Sequence, residues 1–485
     1  MKLLQLIQSI KARQIIGPKN PEITSMTFDS RKVTPGALFV AIRGTSVDGH
    51  TFIPLLEHSG VSAIVCEQLP DKLLPSITYV VVENTSIALG LLSSEWFGHP
   101  SRKLKLVGVT GTNGKTTTAT LIYEMARLTG HKAGLLSTVC NYIESDAVHA
   151  TQTTPDAYSI NELLARMVDA GCTVAAMEVS SHAAHQHRIA GLTFAGGVFT
   201  NLTRDHLDYH KTVQAYIQAK KSFFDDLPAD AFALVNADDK AGAVMLQNCV
   251  ARHYTYSLRT LADFTCKIIE SRLDGTLLNI NGKEVETMFT GKFNAYNLTA
   301  VYGACRLLGW DADEVLRNVS KLIPVAGRFQ AVRSENGLIA IVDYAHTPDA
   351  VVNVLETIRE VGPKQIITVV GAGGDRDKGK RPIMAAEAVR LSDRVILTSD
   401  NPRTEDPRAI LADMEAGLTD ATREKAMVIV DRREAINAAA ALAEPGDVIL
   451  IAGKGHEDYQ EINGVKHHFD DREEAVKAFA KLQNK

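Results

Sequence analysis

The segment Gly111-Thr112-Asn113-Gly114-Lys115-Thr116-Thr117 follows an apolar run at residues 104–110 and opens a helical pattern, and no other feature constrains the chain as much. A glycine-rich turn between strand and helix aims consecutive backbone N–H groups, and the positive end of the helix dipole, at an anion. Lys115 is then placed to reach β- and γ-phosphates, and the Thr116 hydroxyl to ligate Mg²⁺. The common form of this loop has its first glycine where this chain has Val109, flanked by Gly108 and Gly111, so the loop is a variant. The competing reading is a glycine turn without a ligand, which requires Gly-Lys-Thr-Thr to follow an apolar strand by accident. Mg²⁺ takes hard oxygen ligands and keeps several waters, so a carboxylate at a neighbouring strand end is expected. Glu178, in Met177-Glu178-Val179-Ser180-Ser181-His182, is the candidate.

A phosphate loop of this kind implies alternating strands and helices, and that alternation begins near residue 99. Clear strands are expected at residues 104–110, 173–179, 196–201 and 231–236. A second alternating series follows Gly327-Arg328, with strands at 338–343, 365–371, 394–399, 427–430 and 447–452. Ahead of both, residues 1–98 carry short β-rich runs such as 37–42 and 79–82 between Gly and Pro signals. With 485 residues and about 150 residues per domain, about three domains are expected. The boundaries read as 1–98, 99–327 and 328–485. The fold class is α/β, with a central P-loop parallel-sheet ATPase domain and a C-terminal Rossmann-like domain.

Ligands of such sheets bind beyond the carboxyl ends of the strands. In the last domain four strand ends lead into polar loops: Asp343-Tyr344-Ala345-His346, Gly373-Gly374-Asp375-Arg376-Asp377, Asp400-Asn401-Pro402-Arg403 and Gly453-Lys454-Gly455-His456-Glu457. Four such loops on one rim suggest a site.

Composition narrows the partners. Apolar residues at 45% and charged residues at 22% supply buried cores and give no reason to invoke disorder. A formal charge of −5 argues against the broad basic surface that nucleic-acid backbones attract. The six cysteines, Cys66, Cys140, Cys172, Cys249, Cys266 and Cys305, form no C-x-x-C pair and read as reduced structural thiols. With no apolar run of membrane-spanning length and no cleavage signature near the N-terminus, a cytoplasmic protein without membrane insertion is expected. His182, His185 and His187 resemble a metal cluster but lack a matching carboxylate, and His206 and His210 lack the glutamate of H-E-x-x-H, which argues against zinc.

The variant loop, Glu178 and the segment Asn201-Leu202-Thr203-Arg204-Asp205-His206-Leu207-Asp208-Tyr209-His210 together resemble the Mur ligases, and within them the members that add the third residue of the peptidoglycan stem peptide. The likeness runs through Asp29-Ser30-Arg31, Thr153-Thr154, Gly291-Lys292-Phe293-Asn294-Ala295-Tyr296-Asn297, Gly327-Arg328 and the polar loops above, which is essentially the whole chain. It implies an N-terminal domain for the UDP end of the substrate, a central ATPase domain, and a C-terminal domain that presents the amino acid and closes over the site. It also implies a reaction. A carboxylate of UDP-MurNAc-dipeptide attacks the γ-phosphate of ATP, the co-substrate, and an amino group then attacks the resulting acyl phosphate.

The resemblance implies further roles. Lys220 matches the family's carbamylated lysine, on which CO₂ builds a carboxylate-like group that holds a second Mg²⁺ with His206. Lys115, Lys220 and His206 are thus the catalytic candidates, and Thr116, Glu178, His206 and Lys220 the metal set. Read from composition alone, Lys220 is a solvated helix lysine, and the choice between it and Lys221 rests on spacing from His210. Gly111, Thr112, Asn113, Gly114, Lys115, Thr116, Thr117, Asn294, Asn297, Arg328 and Asp343 would line the nucleotide. Ser30, Thr153, Thr154, Ser180, Gln186 and Arg188 would line the UDP-MurNAc-dipeptide. Ser30 can equally end a turn, and Asn294 can equally cap a helix.

In Asp400-Asn401-Pro402-Arg403, Pro402 fixes the backbone and Arg403 offers a planar donor fork suited to a carboxylate, with a solvated surface turn as the alternative. Within the family this pattern resembles that of members adding meso-diaminopimelate, whose distal carboxylate lysine lacks. Arg376, Gly453 and Glu457 would hold the remaining amino and carboxylate groups. A monomer acting on small molecules alone is expected. The rivals are a folylpolyglutamate synthetase, which shares the ATP fold but couples glutamate to a pteridine, and a nucleotide-binding regulator without chemistry. The full N-terminal domain and the Asp400 loop favour the Mur reading over the first, and the polar C-terminal rim favours it over the second.

Overall fold

A computed structural model describes the chain except for residues 45, 46, 204, 206, 274, 484 and 485. Among the described residues the strands form a five-stranded sheet within residues 14–81, an eleven-stranded sheet within 105–287, a six-stranded sheet within 330–452 and a short two-stranded ribbon.

The central sheet is built around Lys105–Thr110. Its parallel core also contains Ala133–Leu136, Val174–Glu178, Gly196–Phe199, Phe232–Asn236, Arg252–Ser257 and Phe264–Arg272, and antiparallel strands extend both edges. Side chains of a strand alternate between faces, so a parallel sheet covered on both sides needs apolar residues at every position. Val107 and Val109 join one core with helices Lys115–Leu128 and Lys292–Leu307, while Leu106 joins the opposite core with Ala157–Asp169 and Val213–Asp225. Ala176 and Met177 divide the same way.

The chain leaves Lys105–Thr110 toward Ala133–Leu136 on one side and later returns to Gly196–Phe199 on the other. The phosphate loop therefore sits where the winding direction changes, the position at which open α/β sheets bind ligands.

The C-terminal sheet repeats this logic. Ile339–Asp343, Val448–Ala452, Ile366–Ala372, Arg394–Ser399 and Ala426–Val428 run parallel, with Gln330–Arg333 antiparallel at one edge. Ile341 and Val370 face one core, Val342 and Val369 the other. Because the strands are parallel, their polar sequels share one rim. Among the described residues no helix is long and apolar enough to cross a membrane.

Candidate active site at the phosphate loop and the C-terminal rim

The loop that follows Lys105–Thr110 is held by its neighbours. Gly114 has φ +83, and a Cβ there would stand 2.5 Å from Asn297 Oδ1, so glycine is required on both counts. Helix Lys115–Leu128 begins at this glycine with no side chain capping its first turn, which leaves those N–H groups to an anion. Asn201, at the end of the adjacent strand, accepts from Asn113 N at 3.0 Å and donates to Asn113 O at 3.1 Å. Thr112 Oγ1 meets Tyr216 OH at 3.0 Å. Thr117 is buried in the first turn.

Two lysines converge on the loop. Lys115 Nζ donates to Gly111 O at 3.0 Å and Thr112 O at 2.7 Å, and Lys220 Nζ donates to Gly111 O at 2.7 Å. Lys220 is 1% exposed and lies over the Tyr216 ring at 4.6 Å. Burial, and then repulsion from Lys115, pushes its ammonium well below the usual lysine range. Burial lowers Lys115 as well, against the pull of Glu178 and Asp205. Lys221 instead turns away, bonded to Asp225 and to Gln247 O, so of the two lysines only Lys220 reaches the loop.

Thr116 is the junction of the site. Its hydroxyl donates to Glu178 Oε2 at 3.0 Å and accepts from Arg328 Nη2 at 3.1 Å. The other oxygen of Glu178 accepts from Ser137 Oγ, Thr138 N and Thr138 Oγ1 at 2.9, 2.7 and 3.0 Å. A 1% exposed carboxylate beside a threonine hydroxyl is the hard-oxygen pair that Mg²⁺ takes. His206 lies outside the described residues. Asn297 accepts from Thr118 Oγ1 at 3.4 Å and donates to Asn294 Oδ1 at 3.3 Å, so both asparagines of the Gly291 motif stand behind the loop rather than capping their helix.

Beyond Glu178, Thr154 Oγ1 donates to Glu178 O at 2.8 Å and meets Ser180 Oγ at 3.3 Å, and Thr153 Oγ1 accepts from Thr138 at 3.1 Å. Arg188 donates to Gln186, to Gln152 and to Thr154 O. Thr153, Thr154, Ser180, Gln186 and Arg188 thus form one connected patch beside the loop. His185 and Gln186 both bond Tyr209 OH, and His210 meets Ser181 Oγ at 3.0 Å. Ser30 sits apart, in the turn Ser30–Lys32 beside the N-terminal sheet, with no hydrogen bond to this patch among the described residues.

Arg328 ties the C-terminal rim to the loop. Its guanidinium lies over Tyr344 at 4.5 Å, and its Nε is buried without a partner among the described residues. Burial pushes the carboxyl of neighbouring Asp343 up to about 6, against the pull of Arg328, while Phe329 N donates to it at 2.7 Å. Burial lowers His346 to about 4 and His456 to about 3, so both rings are neutral near pH 7.

On the same rim, Asn401 Nδ2 donates to Glu457 Oε2 at 2.7 Å, and the fully buried Lys454 donates to Asn401 Oδ1 at 3.0 Å and Glu457 Oε2 at 3.2 Å. Burial raises Asp400, yet the Lys454 and Arg432 cations outweigh it and hold the carboxyl low; burial and Asp400 push Glu457 up. Gly453 comes against Asp400 so closely that a Cβ would stand 2.4 Å from its Oδ2. Arg403 Nη1 donates to Gly374 O at 2.7 Å and its Nε lies 3.6 Å from Glu461, and its φ of +51 is held by backbone bonds from Arg403 N to Glu461 O at 3.0 Å and from Asn463 N to Arg403 O at 2.7 Å. Arg376 is exposed.

Sequence reasoning passed over Asn201, Tyr216, Ser137, Thr138, Arg381 and Lys454. Asn201 stands at a strand end in segment 201–210 and Lys454 in loop 453–457, but nothing local marks Lys454 as wholly buried or Asn201 as the partner of Asn113. The other four carry no local signal.

Three family models match the chain in order. The Mur ligase family catalytic domain matches residues 22–90, the Mur ligase middle domain 109–305, and the Mur ligase glutamate ligase domain 327–455. The chain is 61% identical over 486 residues to the UDP-N-acetylmuramoyl-L-alanyl-D-glutamate--2,6-diaminopimelate ligase of Parabacteroides distasonis, covering 100% of both. To the enzyme of that name from Phocaeicola vulgatus it is 57% identical over 482 residues, covering 99% of this chain and 100% of the relative. A solved structure of a ligase of that name superposes with a TM-score of 0.71 at 35% identity, covering 100% of each chain.

Proposed function

The chain belongs to the Mur ligase family, and from that premise we propose that it is the ATP-dependent ligase that adds meso-2,6-diaminopimelate to UDP-N-acetylmuramoyl-L-alanyl-D-glutamate in peptidoglycan precursor synthesis. The full-length 61% identity to an enzyme of that name carries the reading. The loop, Glu178 with its threonine and serine partners, and the rim joined to the loop by Arg328 supply parts for both halves of the reaction.

A carboxylate of the dipeptide attacks the γ-phosphorus of ATP, and ADP leaves with the broken bond's electrons. The amino group of diaminopimelate then attacks the acyl carbonyl, loses a proton, and phosphate departs. Phosphoryl transfer is mainly positioning and charge neutralisation, so the first half needs donors rather than a strong nucleophile. Lys115 exchanges its bonds to Gly111 O and Thr112 O for phosphate oxygens, and the loop N–H groups hold the rest. Asn294, Asn297, Arg328 and Asp343 complete the nucleotide side.

Thr116 and Glu178 fit Mg²⁺, which supplies positive charge against the phosphates when bound. Burial holds the Lys220 ammonium well below the usual lysine range, which favours the amine form that CO₂ would carbamylate; such a carbamate, with His206, would hold a second Mg²⁺ in this reading. Ser30, Thr153, Thr154, Ser180, Gln186 and Arg188 orient the UDP-MurNAc-dipeptide. Arg376, Asp400, Asn401, Pro402, Arg403, Gly453 and Glu457 receive diaminopimelate, with Arg403 facing its distal carboxylate. Residues 1–98, 99–327 and 328–485 divide these tasks as substrate, nucleotide and amino-acid domains of a cytoplasmic monomer.

The test is an amino-acid panel with ATP and UDP-MurNAc-L-Ala-D-Glu, read by product mass and phosphate release. Product and phosphate should appear together with meso-diaminopimelate, and L-lysine should be poor. Equal catalytic efficiency for the two would remove the diaminopimelate assignment, and no phosphate release dependent on both substrates would remove the ligase reading.

A further inference from the structure

Arg376 and Arg403 stand on separate loops, residues 373–378 and 400–405, and each loop contains a non-glycine residue in the left-handed region, Asp375 at φ +53 and Arg403 at φ +51. Such backbone persists only where its surroundings over-determine it. The two loops hold one another. Gly374 N donates to Asn401 O at 2.9 Å, Thr404 Oγ1 to Asp375 Oδ1 at 2.8 Å, and Arg403 Nη1 to Gly374 O at 2.7 Å. A Cβ on Gly374 would lie 1.9 Å from Pro402 O, so the backbones are in direct contact.

Behind this contact lies Arg381, in the first turn of helix Lys380–Leu391, with no exposed side-chain surface. Its Nη2 donates to Gly373 O at 3.1 Å and Glu405 Oε1 at 2.8 Å, and its Nη1 to Glu405 Oε2 at 3.0 Å and Asp413 Oδ2 at 2.8 Å. Glu405 in turn accepts from Asp375 N at 2.6 Å and pairs with Lys378 at 3.2 Å. One guanidinium therefore grips both loops and helix Pro407–Glu415 at once. A planar fork bound to both oxygens of a carboxylate has little angular freedom, and lysine cannot reproduce it.

We propose that Arg381 is a positioning residue for amino-acid selectivity: by locking residues 373–378 to 400–405 it sets where Arg376 and Arg403 meet the incoming substrate. Arg381 does not itself contact the amino acid. This rests on the reading of Arg403 as partner of the distal carboxylate. A purely structural ion pair would lower activity toward every amino acid alike, since a smaller folded fraction scales all rates equally. A positioning pair changes the ratio.

The experiment measures kcat/KM for meso-diaminopimelate and for L-lysine, with KM for ATP, on the full chain as wild type, Arg381→Met, Arg381→Lys and Glu405→Gln, each checked for a cooperative melt. In Arg381→Met the KM for diaminopimelate should rise about 10- to 100-fold while the kcat/KM for lysine and the KM for ATP stay within about threefold, so the preference falls at least about threefold. Arg381→Lys should fall between wild type and Arg381→Met. Glu405→Gln, which keeps the side-chain shape, should move the ratio the same way by less, and it carries the test if Arg381→Met does not fold. An unchanged preference in the folded variants overturns the proposal while leaving the diaminopimelate reading standing. A wild type without preference overturns that reading, and the role of Arg381 falls with it.

Discussion

Replacing Glu178 by glutamine separates a metal-binding carboxylate from a scaffold. Oε1 accepts three donors, from Ser137 and Thr138, so the glutamine amide must place its oxygen there and turn its NH₂ toward Thr116. Thr116 Oγ1 already accepts from Arg328 Nη2 and can accept a second donor, so the side chain fits without a clash. Hydrogen bonds to a charged acceptor contribute about 1 kcal/mol more than neutral ones, so four of them lose up to about 4 kcal/mol. The amide avoids the cost of burying a charge, which offsets much of this. A net loss of about 1–2 kcal/mol and a Tm lower by a few degrees is expected. Activity should suffer more. Losing a preorganised charge at a phosphoryl-transfer site costs about 3–4 kcal/mol, a kcat lower by about 10²–10³. Phosphate release at saturating substrates across a Mg²⁺ titration, beside a thermal melt, reads both quantities. The half-saturating Mg²⁺ concentration should rise. A folded Glu178→Gln enzyme with wild-type kcat and unchanged Mg²⁺ dependence would refute the reasoning and leave Glu178 as a support for Ser137 and Thr138.

Three further outcomes are expected. Lys115→Ala should reduce turnover at least about 10³-fold, and acyl-phosphate formation at the wild-type rate in single turnover would contradict its role. Lys220→Ala should lose most activity and regain part of it with added short carboxylic acids, whereas Lys221→Ala, which breaks the bonds to Asp225 and Gln247, should lower Tm and keep turnover; the reverse pattern would assign the role to Lys221. The Asp343 carboxyl, raised from 3.8 to about 6, keeps its proton in the folded state where the unfolded chain has lost it, so its contribution to stability falls as pH rises from about 4 to about 6 and is flat above. Asp343→Asn should therefore gain on wild type through that window, by up to about 3 kcal/mol in thermal melts, and a pH-independent gap would be inconsistent with a raised carboxyl.

Local pattern alone determined the phosphate loop, because a glycine turn, an apolar strand before it and a helix after it all lie within a few residues. It also determined most of the parallel strands, though not Ala133–Leu136, Arg252–Ser257 and Phe264–Arg272, which are not among the strands expected above. Residues expected at 394–399 form Arg394–Ser399 as read, and 104–110 and 447–452 lose only their first residue, since strands buried on both faces must be apolar throughout. The common rim of the polar loops followed from parallel direction. Which side chains meet there did not. Glu178 is fixed by Ser137 and Thr138 some forty positions earlier, Thr116 by Arg328 more than two hundred positions later, and no periodicity reports either distance. The choice of Lys220 over Lys221 as the loop's partner is a matter of which way one helix turns against the sheet. Arg381, at the start of a helix in Lys380-Arg381-Pro382, reads as a solvated cation and is wholly buried only because Glu405 and Asp413 come to it from another loop and another helix. Burial of a charge is a property of what folds over it, and only the tertiary structure decides that.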